Sequence, residues 1–81
     1  MIRKDLSDAP CNTELEVLGI DAGTTAKRRL ISMGIHRGDK LIKYNDALWG
    51  PVLIKNTTLN ASKIAIGRRL AAKIRVEYEE S

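Results

Sequence analysis

The chain has 81 residues, with 14 lysines and arginines against 10 acidic residues for a net charge of +4. That length holds one domain, 1–81, whose core is modest because only about 60–65% of the unfolded surface is buried at this size. One cysteine excludes an intrachain disulfide, and one cysteine with one histidine cannot supply a structural zinc site.

In chain order, Met1 to Asn12 mixes Ile2, Leu6 and Ala9 with cap-type residues and Pro10, which predicts an irregular lead-in with one helical turn near Leu6–Ala9. Glu14–Ile20 is the first predicted strand. Leu15 and Val17 alternate with Glu14 and Glu16, while Leu18 and Ile20 turn apolar groups to the other face. Asp21-Ala22-Gly23 is a turn, and Thr24 or Thr25 is positioned to cap a helix. Ala26, Leu30 and Met33 then make one apolar stripe, stopped by Gly34 where a left-handed cap needs glycine. A helix this short is not stable alone and must pack on something.

His36-Arg37-Gly38-Asp39 turns the chain into a second strand over Lys40–Asn45. Trp49-Gly50-Pro51 closes a loop, and Val52–Asn56 is a third strand. Thr57 to Lys63 reads as a hairpin connection. Ile64–Ile66 is a fourth strand, Gly67 to Lys73 a helical turn, and Ile74–Tyr78 an alternating last strand. Short strands, one helix and close turns predict a small, mainly β fold whose sheet closes or nearly closes.

The run Arg28-Arg29-Leu30-Ile31-Ser32-Met33-Gly34-Ile35 followed by Gly38 resembles the FeoA family. So does Ile64-Ala65-Ile66-Gly67-Arg68 with Ala72, Ile74 and Val76. Arg37 departs from the proline that many members carry there. The resemblance covers Leu15 to Glu77 within a core of about 14–78. It implies an SH3-like barrel of five strands, with a short α-helix after strand one and a helical turn before the last strand. It implies an interaction module rather than an enzyme, an accessory protein of ferrous iron transport whose partner is the cytoplasmic GTPase region of a FeoB-like membrane transporter. A related domain ends the iron-dependent repressors, so self-association into a homo-oligomer is an alternative.

The candidate partner-binding residues are Lys27, Arg28, Arg29, Ile31, Arg37 and Trp49. Cations near a helix N-terminus oppose its dipole, so Lys27, Arg28 and Arg29 are either solvated helix formers or an electrostatic dock for an acidic surface. Arg68 and Arg69 would extend that patch if the closing turn lies beside the helix. Ile31 lies outside the apolar stripe and either packs beneath the lead-in or stands exposed among cations as a contact. Trp49 either caps an open end of the barrel or anchors an interface. His36 reads as an exposed turn histidine and Cys11 as a buried or free thiol; His36 with Asp39, or with a symmetry-related copy, could hold a divalent metal only adventitiously, and the expectation is no cofactor and no catalytic group. A small basic barrel could also bind nucleic acid, but stacking aromatics are sparse and phenylalanine is absent. No apolar run reaches the roughly 20 residues of a membrane span, and the N-terminal residues hold no stretch of signal-peptide length. The expected location is therefore cytoplasmic, with recruitment to the inner membrane face by the transporter.

Overall fold

The computed structural model describes residues 1–45 and 50–80. Its elements are β1 (Ile2–Asp5), β2 (Glu14–Ile20), α1 (Thr24–Ser32), β3 (Lys40–Lys43), β4 (Val52–Asn56), β5 (Ile64–Ile66), α2 (Arg68–Ala71) and β6 (Ile74–Tyr78). One antiparallel sheet has the order β1-β6-β2-β3-β4-β5. The mainly β class, the helix after the long strand and the helical turn before the last one are as the sequence predicts.

The strand number differs, because part of the predicted irregular lead-in is a strand. Ile2 to Asp5 pair with Tyr78 to Arg75 along β6. The predicted turn follows, closed by the Ala9 amide donating to the Asp5 carbonyl at 3.1 Å. Both Leu6 and Ala9 point into the core.

Alternate residues of the inner strands are buried and belong to one cluster. They include Leu15 and Val17 of β2, Leu41 of β3, Val52 and Ile54 of β4, and Ile74 and Val76 of β6. One face of the sheet therefore curls around a single core, the arrangement by which small β domains bury apolar side chains. Leu30 of α1 and Ala71 of α2 close it.

β2 departs from simple alternation by a bulge. Val17 pairs with Val76, but Gly19 pairs with Arg75, which leaves Leu18 as the extra residue. The bulge re-phases the strand, so Ile20 lies opposite Ile74 and packs against the core rather than facing away. Gly19 lies opposite the exposed Arg75, on the outer face.

The end of α1 follows from Gly34. At φ +88° it takes the left-handed conformation. Its amide donates to the Ile31 carbonyl at 3.0 Å, and the Ile35 amide donates to the Leu30 carbonyl at 3.1 Å. That bond pair is a Schellman cap, and the fully buried Leu30 and Ile35 supply its apolar contact. At the other end the cap position is Gly23, with no side-chain hydrogen bond, and both threonines lie inside the helix.

Two polar side chains of the inward face need partners. Lys43 is completely buried, and its Nζ donates to the carbonyls of Ser7 at 2.8 Å and Ala9 at 2.9 Å. It thereby ties the lead-in turn to β3. Asn56 is the other, described below. Replacing Lys43 with methionine keeps the volume but leaves two buried carbonyls without this donor. The expected loss is about 2–4 kcal/mol of unfolding free energy, measured by urea denaturation.

Candidate docking surface

The turn after α1 is built on Asp39, a buried residue. Its Oδ2 accepts from the His36 amide at 3.0 Å and from Asn56 Nδ2 at 2.8 Å, and lies 3.2 Å from His36 Nδ1. Asn56 Nδ2 also donates to the Gly34 carbonyl at 2.7 Å, so β4 grips the helix end and the turn with one amide group. The turn is hooked to β2 by Gly38 N–H to Val17 O and Val17 N–H to Asp39 O, both 2.8 Å. Burial is the largest influence on the Asp39 carboxyl and acts to raise its pKa. The hydrogen bonds from Asn56 and His36, with the electrostatic attraction of His36, outweigh it and hold the pKa below the ordinary 3.8.

With the turn fixed there, α1 and β2 enclose a groove of ≈ 330 Å³. Its walls are Lys27 and Ile31 from α1 and His36 and Arg37 from the turn, and β2 contributes Leu18, Gly19 and Ile20. Ile31 is 44% exposed, a level that rules out packing beneath the lead-in. A second, shallower groove of ≈ 420 Å³ lies against the same three β2 residues and is bordered by Arg3, Asp21 and Arg75.

Of the sequence-predicted residues, Lys27, Ile31 and Arg37 therefore come together on one groove. Arg28 and Arg29 are exposed on α1 but do not line it. Trp49 lies outside the described residues. Arg68 turns toward the loop before β4, its Nε donating to the Gly50 carbonyl at 3.3 Å. Sequence reasoning missed Leu18, Gly19, Ile20, Ile35 and His36 as groove residues. The broken alternation at Leu18 was the available signal, but its meaning depends on the bulge. Among the described residues no three His, Cys, Asp or Glu side chains gather as a metal-binding group, and no helix is long and apolar enough to cross a membrane.

His36 and Asp39 are adjacent, yet the carboxylate is engaged in holding the turn.

The profile of one protein family, the FeoA domain, matches residues 4–78. A protein of Methanocaldococcus jannaschii named for Fe(2+) transport, as transport protein A, is 49% identical over 67 residues, 83% of this chain and 77% of that protein. A crystal structure of an iron uptake regulatory protein (FeoA) superposes with a TM-score of 0.84 at 26% identity, covering 94% of this chain and 97% of that one. The zinc-complexed FeoA of Stenotrophomonas maltophilia, described as an SH3 domain protein, superposes with a TM-score of 0.72. At 22% identity, over 90% of this chain and 88% of that one, it speaks to the fold alone.

The Asp39 network has a definite pH signature. A carboxyl depressed in the folded state contributes stability that is fully present above its unfolded value, near 3.8, and lost as the pH falls through the folded value. Asp39→Asn should therefore melt below the wild type at pH 7, by about 1–3 kcal/mol. That gap should narrow below roughly pH 4 as the wild-type carboxyl is protonated. Melting curves of both proteins from neutral to acid pH check this, and a gap unchanged in acid would remove Asp39 from the account.

Proposed function

This chain belongs to the FeoA family, and from that premise we propose that it acts as a non-enzymatic cytoplasmic module of ferrous iron transport, docking on the GTPase region of a FeoB-type membrane transporter. The observation that carries the reading is Ile31. A large apolar side chain stands exposed at a groove rimmed by Lys27 and Arg37. The Lys27 and Ile31 side chains are exposed, whereas α1 is anchored to the core through the fully buried Leu30 and Ile35 of its Schellman cap. An apolar centre inside a charged rim is the usual anatomy of a small protein interface. Docking there would bias the transporter's GTP-dependent cycle or assembly by favouring the transporter conformation that presents the matching surface. The family relationship supplies the transport context, and the relative from Methanocaldococcus jannaschii, named for Fe(2+) transport, supports it.

Calorimetric titration of the purified chain with the purified cytoplasmic region of its transporter tests the reading. Saturable binding is expected. The double variant Lys27→Glu, Ile31→Asp should weaken it by at least tenfold, because both side chains are exposed and the fold is retained. Absence of binding by the folded wild-type chain would refute the proposal.

A further inference from the structure

Gly19 sits where the two grooves meet and lines both. Nothing in the fold demands a glycine there. Its φ is not positive, and a Cβ built at this position would meet nothing within 4 Å. The missing side chain thus leaves open space on the outer face, between two adjoining grooves that share Leu18, Gly19 and Ile20 and together form a trough with Arg3 and Arg75 at one end and Lys27 and Arg37 at the other. Leu18, Ile20 and Ile31 give this trough apolar sides. Its borders hold four lysines and arginines and one carboxylate, Asp21.

The opposite polarity lies toward the start of the same strand. Glu14, Glu16, Glu77 and Glu79 border a separate depression there with Lys40. Lys40 Nζ donates to Glu16 at 2.7 Å, so part of that acidic end is internally compensated. Arg3 is compensated too, its Nε donating to Glu77 at 3.1 Å, so Lys27, Arg37 and Arg75 are the cations that make the trough end the pole that attracts acids.

We propose, resting on the docking reading above, that the trough receives a partner protein's acidic segment, its apolar anchor residue filling the space over Gly19 and its flanking carboxylates meeting Lys27, Arg37 and Arg75. Charge complementarity selects an acidic partner, and the aliphatic sides select a peptide over a polynucleotide. A single-stranded nucleic acid would need several aromatic side chains for its bases, and among the described residues the His36 ring alone lines either groove.

Fluorescence anisotropy with dye-labelled probes tests this. The probes are a short glutamate–leucine peptide, a lysine–leucine peptide, a glutamate–serine peptide and an oligothymidylate. The glutamate–leucine peptide should bind saturably, and exchange of its leucines for serine should weaken it by roughly fivefold or more. The lysine–leucine peptide should not bind. Gly19→Leu should fill the trough and weaken peptide binding by at least tenfold with an unchanged melting temperature. The exposed pair Lys27→Glu, Arg37→Glu should do likewise without touching the core. Equal binding of the acidic and basic peptides, wild-type affinity in both variants, or tighter binding of oligothymidylate would each overturn the assignment. The two proposals fail separately. If folded Gly19→Leu still binds the transporter region at wild-type affinity, the trough is not the site although docking stands. If the peptides bind as described but the transporter region never does, the trough stands and the docking reading falls.

Discussion

The constraint on which this small protein depends is the buried carboxylate of Asp39. One oxygen collects the His36 amide, the His36 ring nitrogen and the Asn56 amide group. Through Asn56 it reaches the carbonyl of Gly34, and through its own backbone it is tied to Val17. Four pieces of chain converge there: the end of α1, the turn after it, β2 and β4. A nine-residue helix has too little stability of its own to choose a position, so this network and the cap at Gly34 choose it. Burying a carboxylate is costly unless it is hydrogen-bonded, and here Oδ2 carries those bonds.

That anchoring has a consequence on the outside of the molecule. The hook to Val17 lies immediately before the bulge at Leu18. The same few residues therefore shift the register of β2 against β6, set Leu18 between the two grooves, and leave Gly19 on the outer face. The groove wall formed by His36 and Arg37 is held by the Asp39 network, and the facing wall by the α1 cap. The proposed docking surface would in this way be held in shape before a partner arrives, which would lower the ordering cost of binding. Core and surface are separable. Leu30 and Ile35 are fully buried, Ile35 forming the floor of the groove, whereas Lys27 and Ile31 are exposed on the flank of α1.

Much of this was readable in the residues. The alternation in Val52–Asn56 and Ile74–Tyr78 and the stop at Gly34 fix those elements because local pattern and final environment agree. The family resemblance adds the SH3-like fold. What was not readable depends on distant chain. Ile2–Asp5 becomes a strand only because β6, at the far end of the sequence, offers it an edge. Lys43 looks like a solvent-facing residue of a short strand, and is buried because the turn after β1 brings two carbonyls to it. Asp39 reads as an ordinary turn residue until Asn56 arrives from β4. For the site, the cations on α1 were visible as a group, but only the folded chain separates Lys27 from Arg28 and Arg29. Gly19 carried no signal beyond its place in the predicted strand, since its meaning is the empty space around it.

The central claim is that a partner is met on the face where α1, the turn after it and the bulged end of β2 surround an apolar trough with cations. Amide chemical-shift mapping of the isotopically labelled chain, titrated with the unlabelled cytoplasmic region of its transporter, examines that face directly. The account predicts the largest perturbations at Leu18 to Ile20, Lys27, Ile31 and Arg37. Perturbations centred instead on the acidic end, at Glu14, Glu16 and Glu77, would contradict it.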